Sequence, residues 1–150
     1  MRRGDPSPPR FLIDRSLGVA LKDAIGERYD DVVTLRDLYG EQGAQEKADE
    51  DWIKELGDRL YLTKDDSIRR NPLIQKAMRE ARGRGFCLPN AHLSGEAMAE
   101  RFLHNLNRII ERGRKPGPYM YGVYPDSLVM LWPDPQPLPD SKKQRRRQRR

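Results

Sequence analysis

The chain contains one cysteine, Cys87, and two histidines. That scarcity excludes an internal disulfide and leaves no His/Cys cluster for zinc. Cys87 stands in the apolar run Gly85-Phe86-Cys87-Leu88, where a free cysteine reads as a small buried hydrophobe on a strand. Long apolar runs are also missing, and none approaches the roughly 18 to 20 residues that cross a bilayer. The start, Met1-Arg2-Arg3-Gly4-Asp5-Pro6, is basic but has no apolar signal core behind it. The cytosol is the expected compartment, with no membrane partner. Acids are missing from residues 141–150, where Lys142, Lys143, Arg145, Arg146, Arg147, Arg149 and Arg150 supply seven positive charges. Taking those seven from the net +6 leaves residues 1–140 at −1. The basicity therefore belongs to a tail and not to the average surface.

What is present suits one soluble domain. The hydrophobic and charged fractions are 36% and 35% of 150 residues, enough apolar material for a core under a heavily charged surface. Residues 1–9 carry three prolines and read as a flexible leader, residues 10–132 as the domain, and residues 133–150 as a disordered Pro-rich and basic tail. Within the domain, Arg10 to Asp14, Val32 to Leu35, Leu60 to Leu62 and Gly85 to Leu88 read as strands. Helical periodicity fills the spaces between them at Leu17 to Gly26, about Asp49 to Gly57, and Ile68 to Arg82, where Asn71-Pro72 restarts the helix. Residues 36–46 contain two glycines and read as a loop or short irregular helix. A further helix runs from Ser94 to Gly113, and Tyr119 to Tyr124 and Leu128 to Trp132 form a hairpin-like ending. Alternating strands and helices predict a three-layer α/β/α fold with a mostly parallel sheet and an antiparallel C-terminal edge.

The informative stretch is Phe11-Leu12-Ile13-Asp14, an apolar run ending abruptly in a carboxylate. A buried strand of that kind delivers its acid to the carboxyl edge of the sheet, where open α/β folds place their chemistry. Asp49, at the start of a helix, and Asp65, after the third strand, repeat the placement of an acid at an element end. Carboxylates gathered closely repel one another unless a cation compensates them. A hard divalent ion such as Mg²⁺ or Mn²⁺, with oxygen ligands, is the natural compensator. Acids are also common here, 23 residues in 150, so caps and solvated side chains are the bland explanation of the same pattern.

The strings Asp14-Arg15-Ser16-Leu17-Gly18, Asp49-Glu50-Asp51-Trp52-Ile53 and Leu62-Thr63-Lys64-Asp65, with Ile68-Arg69-Arg70 trailing, resemble successive motifs of PIN-like ribonuclease domains. The resemblance is to the VapC-toxin-like branch and covers about residues 10–132. It implies Mg²⁺- or Mn²⁺-dependent RNA cleavage by a cytoplasmic toxin, a cognate antitoxin as partner, and the homodimer common in the family. By position it implies Asp14, Asp49 and Asp65 as catalytic metal ligands, with Asp51 the alternate for Asp49. Thr63 would bond a ligand carboxylate or a metal-bound water, and Lys64, Arg69 and Arg70 would hold phosphates. The family often has a fourth acid two residues after the third, but here that position is Ser67, leaving Asp66 or Glu96 as substitutes. Trp52 reads as core, His104 as unremarkable, and His92 lies in the loop on the predicted active edge.

The other reading is a non-catalytic RNA-binding module that uses the basic C-terminal arm, with the acids as caps. Metal-free RNA binding that survives Asp14→Asn would mark it. A phospho-receiver domain normally presents adjacent acids after its first strand, but Arg15 follows Asp14. Phosphatases of the haloacid-dehalogenase type want an Asp two residues beyond the first, where Ser16 stands.

Overall fold

The computed structural model of the chain describes residues 8–14, 17–46, 53–54, 59–89 and 93–138, with backbone only at 18 and 41–46. The strands are β1 (Phe11–Ile13), β2 (Val32–Thr34), β3 (Leu60–Thr63), β4 (Arg84–Cys87), β5 (Tyr119–Tyr124) and β6 (Ser127–Trp132). The helices are α1 (Gly18–Gly26), α2 (Leu35–Glu46), α3 (Pro72–Ala81), α4 (Gly95–His104) and α5 (Leu106–Gly113), with a 3₁₀ turn at Ser67–Arg69.

All six strands form one sheet in the order β2-β1-β3-β4-β5-β6. Every neighbouring pair is parallel except β5 with β6. Ile13 lies opposite Thr34 on one side and Leu62 on the other. The chain leaves β1 toward β2 and later returns to place β3 on its opposite flank. The topological switch point therefore lies between β1 and β3, where such sheets hold ligands.

Side-chain alternation splits the apolar residues into two cores. Phe11 and Ile13 pack with Leu62, Phe86, Tyr121 and Val123 against Leu21 and Ile25 of α1, Phe102 of α4 and Ile109 of α5. Leu12, Tyr61, Cys87 and Met120 face the other way, toward Leu35 of α2 and Ile74, Ala77 and Met78 of α3. Helices thus cover both faces, which is the three-layer α/β/α architecture. All three β1 side chains are buried, which accounts for their unbroken apolar run.

Local chemistry sets the element ends. Thr34 closes β2 and opens α2: its N–H donates to Asp37 Oδ2 at 2.9 Å, and Asp37 N–H donates to Thr34 Oγ1 at 3.1 Å. This reciprocal cap puts Leu35 in the helix instead of the strand. The stretch 36–46, read as a loop or a short irregular helix, is an irregular helix, interrupted at Gly40, whose φ of 74° no helix accommodates. Asn71 caps α3 by accepting from Leu73 N–H at 3.0 Å, with Pro72 in the first turn where its missing N–H costs nothing. The helix expected from Ser94 to Gly113 is two helices, α4 and α5, meeting at the buried Asn105. No helix among the described residues is long and apolar enough to cross a membrane.

Candidate active site

The site is built at the carboxyl ends of β1 and β3. Asp14 follows β1 directly, and its N–H donates to Leu62 O at 2.9 Å. That bond carries the β1–β3 pairing one residue further, so the half-buried Asp14 carboxylate emerges at the switch point. Thr63, the last residue of β3, is fully buried. Its hydroxyl donates to Asp14 Oδ2 at 2.8 Å and accepts from Asp65 N–H at 3.0 Å. One oxygen thereby ties the first acid to the loop that carries the second.

Asp65 is held from the other side. Its Oδ1 accepts from Ser67 N–H at 2.9 Å and its Oδ2 from the Ser67 hydroxyl at 3.0 Å. These bonds hold the carboxylate against the first residue of the 3₁₀ turn, and a carboxylate has further lone pairs to offer. Sequence reading left Ser67 as a mere departure from the family pattern. An Asp followed two residues later by Ser is nonetheless an Asx-turn signal, which could have revealed this grip.

The basic residues divide by environment. Lys64 is exposed. Arg69 donates through Nη2 to Asp66 Oδ2 at 2.8 Å, while its Nε is buried with no partner among the described residues. Arg70 is 80% exposed, and its Nη2 lies 3.8 Å from Asp66 Oδ1. Asp66 is thus engaged by two arginines. Glu96 lies exposed in the first turn of α4. Burial pushes the Cys87 thiol far above its usual range, with the nearby Asp66 adding to the effect, so this cysteine is not a nucleophile. His104 is exposed and pairs with Asp126 Oδ1 at 2.9 Å.

Asp49, Asp51, Arg15, Trp52, His92 and the seven tail cations lie outside the described residues. Among those described, no three His, Cys, Asp or Glu side chains form a group able to hold a metal. The side-chain oxygens at these strand ends are carboxylates and hydroxyls, Asp14 bonded to Thr63 and Asp65 bonded to Ser67. That chemistry suits a hard oxygen-seeking cation and not zinc.

Compared with known protein families, residues 9–90 match the family described as PIN like domain. The chain is also 34% identical over 128 residues to a protein of Mycobacterium tuberculosis named "Putative ribonuclease VapC45", an alignment covering 81% of this chain and 90% of that protein. No solved structure matches it. A family match over more than half the chain, and a relative aligned over nearly its full length, agree with a parallel sheet whose first and third strands bring acids to one edge; the chain belongs to the PIN-like domain family, on its VapC-like branch.

Proposed function

We propose that this protein is a metal-dependent endoribonuclease, the toxin of a toxin–antitoxin pair. The observation that carries the reading is the Thr63 hydroxyl, which joins Asp14 to the Asp65 loop across two adjacent strand ends. Two acids carried on adjacent strand ends at the switch point, tied through one hydroxyl, support a shared cation over a purely structural role. The relative named as a ribonuclease supports RNA as the substrate.

Asp14 and Asp65 would hold Mg²⁺ or Mn²⁺ together with Asp49, and Asp51 is the alternate to Asp49. When bound, the ion supplies charge neutralisation at the scissile phosphate and makes water acidic enough to act as the nucleophile. The chain's own residues do the positioning. Thr63 fixes the Asp14 carboxylate, and Ser67 fixes both oxygens of Asp65. Asp66 holds the Arg69 guanidinium by one nitrogen, which leaves donors other than the buried Nε for phosphate oxygens. Lys64 and the well-exposed Arg70 add positive charge where the substrate backbone approaches. Residues 141–150 add salt-sensitive affinity for RNA through counterion release.

The test is incubation of the purified protein with total RNA, in Mn²⁺ or Mg²⁺ and in chelator, beside Asp14→Asn and Asp65→Asn. Cleavage is expected with metal alone, and each variant is expected to lose on the order of a hundredfold or more while remaining folded. Metal-independent RNA binding without cleavage, unchanged in Asp14→Asn, would select the non-catalytic reading. For the antitoxin, growth arrest on expression should be relieved by co-expressing a small DNA-binding protein encoded beside this gene.

A further inference from the structure

A second basic feature lies away from the carboxylates. An open groove of about 720 Å³ runs between α5 and the turn joining β5 to β6, with Arg108, Arg112 and Lys115 on one wall and Asp126 and Leu128 on the other. Its acids are already engaged. Glu111 on α5 accepts from Arg114 at 2.7 Å, and Asp126 shares a hydrogen bond with the His104 ring at 2.9 Å, an ion pair only when that ring is protonated; neither Arg114 nor His104 lines the groove.

The groove's cations have no carboxylate partner among the described residues. Arg108 donates to the amide oxygen of Asn105 at 3.0 Å, and the Arg112 guanidinium lies 5.1 Å from the centre of the Tyr121 ring. Neither contact neutralises charge. Arg108 and Arg112 stand one helical turn apart, and Lys115 follows in the turn that closes α5, its N–H donating to Arg112 O at 3.1 Å. The result is a row of positive charge along a concave surface.

We propose that this groove is a track for the sugar–phosphate backbone of single-stranded RNA, extending substrate contact beyond the cleavage site; the proposal rests on the ribonuclease reading. Position favours RNA over an acidic protein segment. β5 runs parallel to β4 and β4 to β3, so the groove's mouth at Asp126 opens on the same sheet edge as Asp14 and Asp65. Two strand spacings, about 10 Å, separate the ends of β3 and β5. A continuous polyanion leaving the carboxylates can cross that edge and enter the row, contacting successive phosphates with guanidinium forks and an ammonium.

The experiment uses the full chain in chelator with a labelled 20-nucleotide RNA and has two readouts. Arg108→Gln with Lys115→Gln should weaken binding by roughly fivefold or more and lower the log–log salt slope by about 1.4, at about 0.7 per lost phosphate contact. In the wild type, saturating RNA should protect Lys115 from an amine-acylating reagent several-fold, while Lys76 on α3 stays reactive. Unchanged affinity and slope, equal labelling of Lys115 with RNA bound, or protection by polyglutamate but not RNA would each overturn the proposal. Cleavage in Mn²⁺ is scored separately. Protected Lys115 without cleavage sinks the ribonuclease reading and keeps the track, whereas cleavage with unprotected Lys115 does the reverse.

Discussion

Thr63 spends one hydroxyl on two bonds, donating to Asp14 and accepting from Asp65 N–H. Thr63→Val keeps the shape and removes both. Cleavage should fall about 10- to 100-fold, as for other groups that orient metal ligands, and stability by about 1–2 kcal/mol from the two part-buried hydrogen bonds lost. Cleavage rate and thermal unfolding measure the two losses. Ser67→Ala should cost less than about tenfold, because the backbone N–H of residue 67 still holds Asp65. At the opposite end of the sheet, Arg10 Nε bonds Asp31 Oδ2 at 2.6 Å and Arg59 pairs with the other oxygen. The bond from Arg10, then that from Arg59, holds the Asp31 carboxyl below its ordinary value of 3.8. A pKa lowered in the folded state stabilises the fold above the unfolded pKa, and that contribution is lost as pH falls through the folded one. Wild type should therefore melt higher than Asp31→Asn at pH 6, with the gap closing as pH drops below about 4. A gap that stayed constant down to pH 2.5 would contradict the assignment.

At the level of elements, the junction of α4 and α5 is the part that periodicity misjudges. Leu103, Leu106, Ile109 and Ile110 keep helical spacing through it, so the apolar stripe suggests one continuous helix. Asn105 breaks it. Its amide donates to Arg101 O at 2.9 Å, Tyr124 O at 3.0 Å and Pro125 O at 3.3 Å, from a fully buried position. One side chain thus ends α4 and anchors the end of β5. Asn105→Ala should cost about 1–3 kcal/mol, read from denaturant unfolding, because three carbonyls lose a shared donor in the interior. Gly117 marks another close approach. A Cβ there would lie against the backbone oxygens of Arg82 and Gly83, the latter at 2.6 Å. Backbone cannot swing aside as a side chain does, so Gly117→Ala should destabilise by about 1–3 kcal/mol. Asn71→Ala, which removes only a cap, should cost about 1 kcal/mol.

Across the whole molecule, Cys87 offers a probe of cooperative opening. It is fully buried in the centre of the sheet, with its thiol pushed up by burial. A thiol-reactive dye should label it only as fast as the protein unfolds globally, and Asn105→Ala should speed that labelling in proportion to the lost stability. The basic tail makes a separable prediction. Deleting residues 141–150 should weaken RNA binding and flatten its salt dependence while metal-dependent cleavage persists. Loss of all RNA interaction would favour the arm-driven binding module instead.

The strand–helix alternation, the buried β1 and the acids at strand ends follow from apolar runs and their periodicity, because burial on both faces leaves one pattern open to a short strand. Asp14 is legible as a site candidate because an acid directly after such a run has nowhere to go but the sheet edge, and Asp65 because it follows the third strand by two residues. Other features have no local signature. Sequence spacing cannot tell that β3 returns beside β1, so that Thr63 reaches Asp14 across 49 positions. Nor does α5 announce that Glu111 pairs with Arg114 and leaves Arg108, Arg112 and Lys115 without carboxylates among the described residues. Which charges stay unneutralised depends on neighbours supplied by distant segments, and only the packed chain assigns those neighbours.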